Sequence, residues 1–148
     1  MINLPDTIKM VITDFDGVIT DNCVYVTDDG KMSRKLNFKD IMAFSLLTKN
    51  GYKIAIISGE KNSAIEKIAQ TFNINEVHQG IRIKIDVVKS IIEKYDLKSD
   101  EFVYIGDDIN DISCMEPVKE AGGIVGCPAD AVKKVQDIAD FVAYHNGG

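Results

Sequence analysis

The stretch Met10-Val11-Ile12-Thr13-Asp14-Phe15-Asp16-Gly17 decides how this chain folds. Its first four residues form an unbroken run of apolar and β-branched side chains, which is typical of a strand buried on both faces of a parallel sheet. Two acids and a glycine follow within the next four positions. Because side chains alternate along an extended chain, we expect Asp14 and Asp16 to point the same way while Phe15 turns into the core.

Apolar runs of the same kind recur along the rest of the chain. Further strands are predicted at residues 53–57, 102–105, 123–126 and 141–143, the last at an edge of the sheet. Helices are predicted between them, at residues 40–50, 65–72, 85–95, from about 110, and at 131–135. This alternation of strands and helices predicts an α/β fold, a three-layer Rossmann-like parallel sheet.

A β-hairpin is predicted directly after the first strand. Residues 23–27 and 32–37 are separated by Asp28-Asp29-Gly30, and an Asp-Gly turn between two such runs is typical of a hairpin. Asp28 and Asp29 are therefore interpreted as turn residues. The hairpin would form a flap over about residues 18–38, and Asp40 is predicted to cap the helix that follows.

Length and composition favour one domain of ordinary globular type. The 148 residues are interpreted as a single domain, residues 1–148, with an apolar fraction of 45% and a charged fraction of 27%. No apolar run is long enough to span a bilayer, and residues 1–9 lack the basic start and apolar middle of a signal peptide. We therefore expect a cytoplasmic protein with no membrane partner.

The charge of the chain argues against nucleic acid as a partner. The formal net charge is −6, and no stripe of lysine and arginine is present that could neutralise a phosphate backbone. An acidic protein can nevertheless bind a single phosphate group if a divalent cation reverses the local field.

Polar side chains gather just past the carboxyl ends of the predicted strands. They are Asp14, Asp16, Ser58, Asp107, Asp108 and Asp111. Open α/β sheets bind ligands along that edge, so we expect these residues to converge on one site. Taken alone, the acids after the third core strand could simply cap a helix. Acids at the ends of two strands of one sheet favour a functional site instead.

The acids at this edge predict a magnesium site. Asp14 and Asp16 would repel each other, and the pKa of one would rise, unless a cation lies between them. Mg²⁺ prefers oxygen ligands and suits a site that also holds phosphate. Asp107 would complete the protein ligands, so the predicted metal set is Asp14, Asp16 and Asp107.

Phosphoryl transfer is the chemistry that these residues fit. Asp14 is predicted to attack phosphorus and form an acyl phosphate. Asp16 is predicted to protonate the leaving alcohol and then to deprotonate the water that hydrolyses the intermediate.

Two further residues would hold the phosphate. Ser58 follows the second core strand at a helix start and is expected to donate its hydroxyl to a phosphate oxygen. Lys84 would add a positive charge, which phosphoryl transfer requires. A lysine in this position needs a neighbouring acid, for which Asp107 or Asp108 is available.

The identity and order of these residues resemble the haloacid dehalogenase superfamily of phosphatases over essentially the whole chain. The four motifs of that family are matched in order by DxDG at 14–17, Ser58, Lys84 and GDDxxD at 106–111. The resemblance implies that Asp14 is the nucleophile and that Asp16 is the acid and base, binding Mg²⁺ through its backbone carbonyl. It also implies that Lys84 orients the phosphate and that Asp108 and Asp111 hold the metal ligands in place.

The short gaps between the four motifs leave no room for a cap domain. Cap-less family members that this chain resembles include 3-deoxy-D-manno-octulosonate 8-phosphate phosphatase and the phosphatases of nine-carbon keto sugar acids (nonulosonate 9-phosphates). The resemblance therefore implies a phosphorylated 3-deoxy-2-keto sugar acid as the substrate. It also implies a homotetramer in which a neighbouring subunit closes the open site and excludes water.

Two positions after the second core strand bear on the choice of sugar. Gly59 and Glu60 are predicted to bind substrate. The octulosonate enzymes typically have arginine where Glu60 stands, so Glu60 favours the nine-carbon alternative. The nine-carbon enzymes, however, have basic residues at the positions of Ile68 and Thr71, which leaves both substrates open.

Two other classes of protein are compatible with part of this pattern. A phosphorylatable signalling receiver also uses acids, a lysine and Mg²⁺, but its phospho-acceptor follows the third strand, so the order of residues here disfavours it. A non-catalytic oligomerisation or binding homologue is expected to have lost Asp14 or Asp16, and both are present.

Overall fold

The computed structural model describes residues 5–74 and 76–148. The strands are β1 (Met10–Thr13), β2 (Tyr25–Val26), β3 (Met32–Ser33), β4 (Lys53–Ser58), β5 (Glu76–Gln79), β6 (Phe102–Ile105), β7 (Ile124–Cys127) and β8 (Phe141–Val142). The helices are α1 (Phe38–Lys49), α2 (Ser63–Phe72), α3 (Lys84–Tyr95), α4 (Ile109–Glu120) and α5 (Lys133–Ile138), with a short 3₁₀ turn at Ser99–Glu101.

Six of the strands form one sheet in the order β5-β4-β1-β6-β7-β8, and all of its pairings are parallel. The predicted central strand is confirmed, since Met10 pairs with Lys53 on one side and Phe102 on the other. The chain winds outward from β1 through β4 to β5, then crosses back to β6 on the other side of β1. The order therefore reverses between β1 and β6, which is where open sheets of this type bind ligands.

Helices cover both faces of this sheet and give three layers, as predicted. On one face, Phe44 of α1 and Ile65 of α2 pack against Ile54 and Ile56. On the other, side chains of α3, α4 and α5 pack against alternate sheet residues, including Val88, Met115 and Val135 against Ile12 and Tyr104. The apolar β-branched content of β1 and β4 follows from this burial on both faces.

The predicted hairpin is present but shorter than expected. Strands β2 and β3 pair antiparallel, with Tyr25 opposite Ser33 and Val26 opposite Met32. Their side chains are exposed, so little apolar burial holds the hairpin on its own.

One local prediction was wrong, and one strand was missed. Helix α1 is capped by Asn37, whose side chain accepts a hydrogen bond from the Lys39 amide at 3.0 Å, while Asp40 lies within the first turn. Strand β5 was not predicted, because Glu76-Val77-His78-Gln79 is mostly polar. Apolar patterning is weak there because β5 is at an edge and pairs only with β4.

No helix within residues 5–74 and 76–148 has the length and apolar character needed to cross a membrane.

Candidate active site

The predicted site residues converge at the carboxyl edge of the sheet. All of them except Lys84 and Asp111 line a cavity of about 170 Å³, whose wall consists of Asp14, Asp16, Asn22, Ser58, Gly59, Glu60, Asp107, Asp108 and Asn110. Asp14 follows β1, Ser58 ends β4 and Asp107 comes two residues after β6. The parallel direction of these three neighbouring strands brings the residues together, as the pattern of acids and serine predicted.

Lys84 lies below this cavity with a side chain that is only 1% exposed. Its Nζ is 3.0 Å from Asp14 Oδ2 and 2.8 Å from Asp111 Oδ1. Burial would lower the pKa of Lys84, but the two carboxylates outweigh that effect and raise it, so the ammonium stays charged. The prediction that Asp107 or Asp108 would hold Lys84 was wrong, because the trajectory of α3 directs the side chain to Asp14 and Asp111 instead.

Asp111 is the centre of a buried hydrogen-bond network. Its Oδ1 accepts from Lys84 and from the Tyr104 hydroxyl at 2.7 Å. Its Oδ2 accepts from the backbone amides of Asp107 at 3.1 Å and Asp108 at 3.3 Å. Both oxygens are thus occupied by protein donors, which fits a residue that fixes the loop after β6 and the lysine.

Asp14, Asp107 and Asp111 bring three carboxylates together around the single ammonium of Lys84. One carboxylate oxygen from each of Asp14, Asp107 and Asp111 lies within 4.8 Å of the others. Burial, with the charge of Asp111, raises the pKa of Asp14 to about 6, although Lys84 opposes the shift. Burial, with the charges of Asp14 and Asp111, raises the pKa of Asp107 to about 7.

These acids fit a divalent cation. Asp107 Oδ1 is buried and has no hydrogen-bond partner among the described residues. Asp107 can approach the loop after β1 only because residue 17 is glycine: a Cβ there would lie 2.0 Å from Asp107 Oδ2, and φ is +90°. Since both oxygens of Asp111 are already engaged, Asp14 and Asp107 are the members of this group of three that can offer oxygens to a cation.

The side chain of Asp16 lies in a different environment from that of Asp14. Its Oδ1 is 2.5 Å from Arg34 Nε and 3.4 Å from the Thr20 hydroxyl. It is not a member of the group of three acids around Asp107. The sequence predicted that a cation would balance the charge of Asp16. In the structure, Arg34 balances the charge of the Asp16 side chain.

The loop after β4 forms another wall of the cavity. Ser58 is buried, and its Oγ accepts a hydrogen bond from the Glu60 amide at 3.2 Å. The carbonyls of Ser58 and Glu60 accept from the amides of Ile81 and Gly80, which ties this loop to the one after β5. Gly59 and Glu60 therefore line the cavity in a loop that is held by backbone hydrogen bonds, and their substrate-binding role stays a prediction.

Asp108 both lines the cavity and caps α4, its Oδ1 accepting from the Ile109 amide at 2.6 Å. The prediction that Asp108 caps a helix is thus confirmed.

Asn22, Arg34 and Tyr104 were missed by the sequence analysis. Asn22 has a φ of +59° and directs its amide to 3.5 Å from Asp107 Oδ2. The sequence indicated a role for Asn22 in the site only through its position close after the DxDG motif.

Known proteins resemble this chain over most of its length. The family described as haloacid dehalogenase-like hydrolase matches residues 37–119. The 3-deoxy-D-manno-octulosonate 8-phosphate phosphatase of Escherichia coli K12 is 29% identical over 143 residues, which cover 97% of this chain and 74% of that protein.

Solved structures show the same fold. The Yersinia pestis enzyme of that name aligns with a TM-score of 0.86 and 27% identity, covering 95% of this chain and 74% of that one. The cobalt-bound deoxy-D-mannose-octulosonate 8-phosphate phosphatase of Haemophilus influenzae aligns with a TM-score of 0.86 and 25% identity, covering 96% and 81%. The predicted resemblance and the prediction of a phosphatase are both confirmed: the chain belongs to the haloacid dehalogenase-like hydrolase family.

Proposed function

We propose that this protein is a Mg²⁺-dependent phosphomonoester hydrolase that acts through a phospho-aspartyl intermediate on Asp14. The observation that carries the proposal is the environment of Asp14. Its carboxylate lines the cavity, is held by Lys84 at 3.0 Å, and lies near Asp107, whose Oδ1 has no hydrogen-bond partner among the described residues. A nucleophile needs this combination of fixed orientation and access to the substrate.

The reaction has two steps on the chain's own residues. In the first, an Asp14 oxygen forms a bond to phosphorus while the bond between phosphorus and the alcohol oxygen breaks. The electron pair leaves with that oxygen, which takes a proton from Asp16. In the second, water attacks the phosphorus of phospho-Asp14, gives a proton to Asp16, and releases inorganic phosphate with the Asp14 carboxylate restored.

The remaining residues hold the phosphate and the metal. Ser58 and the amides after it would donate to phosphate oxygens, and Lys84 would orient the phosphate against Asp14. Asp14 and Asp107, with the backbone carbonyl of Asp16, would hold Mg²⁺, and Asp108 and Asp111 would keep that loop in place. When bound, the ion neutralises charge on the phosphate oxygens.

A phosphorylated 3-deoxy-2-keto sugar acid of the octulosonate 8-phosphate type is the proposed substrate. The names of the relatives from Escherichia coli and Yersinia pestis support this choice. Glu60 on the cavity wall supports a nonulosonate 9-phosphate as the second candidate, because the octulosonate enzymes typically have arginine at that position.

Self-association into a homotetramer accompanies the proposal. The hairpin exposes Tyr25, Val26 and Met32 with fractions of 57%, 64% and 63%, and Phe38 beside it is 85% exposed. Apolar side chains grouped in this way favour a protein interface. The cavity is small and open, so a neighbouring subunit at the hairpin would help to exclude water.

Phosphate release across a panel of sugar phosphates tests this function. The panel includes octulosonate 8-phosphate, a nonulosonate 9-phosphate and simple hexose phosphates, each with Mg²⁺ and with excess chelator. We expect Mg²⁺-dependent turnover with a strong preference for one of the two keto acids, and a changed ranking in Glu60→Ala. Full activity in chelator would refute the metal role, and weak unselective turnover would refute the substrate. Light scattering that shows a monomer would refute the tetramer.

A further inference from the structure

Arg34 is an enclosed arginine that the catalytic motifs leave unexplained. It directly follows β3, in a hairpin whose other side chains face solvent. Its own side chain is only 9% exposed and places Nε 2.5 Å from Asp16 Oδ1. An arginine loses conformational freedom when it is enclosed in this way, so a specific partner is expected, and Asp16 is that partner.

The two oxygens of Asp16 differ in their surroundings. Oδ1 accepts from Arg34 at 2.5 Å and from the Thr20 hydroxyl at 3.4 Å. Thr20 is fully buried and also accepts from the Gly17 amide, so this side of the carboxylate is held by fixed donors. Oδ2 is buried and has no hydrogen-bond partner within residues 5–74 and 76–148.

We infer that Arg34 is a positioning residue that binds one oxygen of Asp16 and thereby presents the other to the leaving group. The inference rests on the proposed function, in which Asp16 gives a proton to the alcohol. With Oδ1 bound by Arg34, that proton leaves from Oδ2, as the bond between phosphorus and the alcohol oxygen breaks. In the second step, Oδ2 takes the proton of the attacking water. A charge-assisted hydrogen bond shielded from water is strong enough to hold the carboxylate in this orientation.

The position of Arg34 also connects the hairpin to the chemistry. The hairpin has few buried contacts, and Arg34 ties its second strand to the loop that carries Asp16. Displacement of the hairpin would therefore release the Asp16 carboxylate to rotate.

Leaving-group dependence tests the inference. The value of kcat/KM reports the step in which the alcohol leaves, and an alkyl alcohol needs protonation far more than p-nitrophenol does. We expect Arg34→Gln to lower kcat/KM by about 100-fold for the best alkyl phosphate of the panel, since general acid catalysis contributes at least that much. With p-nitrophenyl phosphate, the expected loss is less than about 10-fold, because that group leaves without protonation. Arg34→Lys, which keeps the charge, is expected to recover part of the loss.

Lys35→Gln is the matched control. Lys35 is the next residue in the chain, and its Nζ pairs with Asp21 at 2.8 Å, so this variant removes one charge and one ion pair without touching Asp16. We expect its kcat/KM to stay within about 2-fold of wild type for both substrates, since surface ion pairs contribute little. A double-mutant cycle completes the test. In an Asp16→Asn background, Arg34→Gln should cost less than about 2-fold with p-nitrophenyl phosphate, because Arg34 acts through Asp16.

Three results would overturn the inference. One is an equal loss of kcat/KM for both leaving groups, which would indicate that Arg34 binds the phosphate group itself. Another is no loss for either. The third is multiplicative losses in the double variant. A wild-type protein that hydrolyses none of the panel with Mg²⁺ would instead refute the proposed function, and that result is visible before any variant is made.

Discussion

Two buried carboxylates at opposite ends of the sheet have opposite environments. Glu76 begins β5 at the amino edge and is 4% exposed, while Asp107 follows β6 at the carboxyl edge and is 5% exposed. The chain encloses both acids to the same degree. The difference between them lies in the partners that the fold supplies.

Glu76 is surrounded by donors. Its carboxylate accepts from the Tyr95 hydroxyl at 2.8 Å and pairs with His78 at 3.0 Å and with Lys94. Burial alone would raise the pKa of Glu76, but these donors outweigh it, and the pKa is lowered.

Asp107 has the reverse arrangement, because its Oδ1 has no hydrogen-bond partner within residues 5–74 and 76–148, and its carboxylate is grouped with the acids Asp14 and Asp111. A buried charge without a partner destabilises a fold, so the sequence must retain it for another reason. The contrast with Glu76 shows that burial alone does not mark a functional acid. A functional acid is marked instead by a carboxylate oxygen at the ligand-binding edge of the sheet that has no hydrogen-bond partner among the described residues.

The largest effect is expected from the nucleophile at the carboxyl edge. Asp14→Asn keeps the side-chain volume but removes the attacking oxygen, so turnover should fall at least about 100-fold while the protein stays folded. Phosphate release and circular dichroism measure the two properties. Residual activity above about 1% of wild type would count against Asp14 as the nucleophile.

Exchanging each of the two compared carboxylates for an amide should separate function from structure. Asp107→Asn removes a proposed metal ligand, so the Mg²⁺ concentration for half-maximal activity should rise at least about 10-fold. Glu76→Gln is the matched control and should leave that concentration unchanged. The comparison fails if both variants, or neither, alter the Mg²⁺ requirement.

The same pair should change stability in opposite directions in metal-free protein. Glu76→Gln weakens the contacts to Lys94 and His78 and should cost about 1–3 kcal/mol of unfolding free energy. Asp107→Asn removes an uncompensated charge and should raise Tm by roughly 2–4 °C. Thermal melts in chelator at pH 8 measure both. A lower Tm for Asp107→Asn than for wild type would contradict this account of Asp107.

The last comparison concerns the pH dependence of metal-free stability. The pKa values of Asp14 and Asp107 are raised from 3.8 to about 6 and about 7, so the folded state binds more protons than the unfolded state across this range. Stability from this source is complete below about pH 4 and is lost as pH rises through the folded values. Chemical unfolding from pH 5 to 8 should show a decline that Asp107→Asn reduces. A flat profile in wild type would contradict the assigned shifts.

Much of the fold and the positions of the motif residues could be predicted from the sequence. The β-branched run before Asp14 and the apolar strands β4 and β6 each have a local pattern, and the parallel sheet then brings their carboxyl ends together. Strand β5 could not be predicted, because its polar residues lack the patterning of a buried strand.

The pairing of charges within the site depends on tertiary packing. Lys84 meets Asp14 and Asp111 only because α3 packs on the face of the sheet that also carries Tyr104. Arg34 reaches Asp16 across a hairpin whose sequence pattern indicates only a turn. Contacts of this kind have no local periodicity, so neither could be read from spacing.

The proposed function depends most on a covalent intermediate at Asp14, and chemical trapping tests for that intermediate directly. Wild-type protein turning over its best panel substrate with Mg²⁺ is quenched with borohydride, which reduces an aspartyl phosphate to homoserine, and the peptides are sequenced by mass spectrometry. We expect homoserine at position 14 in the wild-type protein. No homoserine should form without substrate or in Asp14→Asn. Steady phosphate release with homoserine at position 16, or at no position, would contradict it.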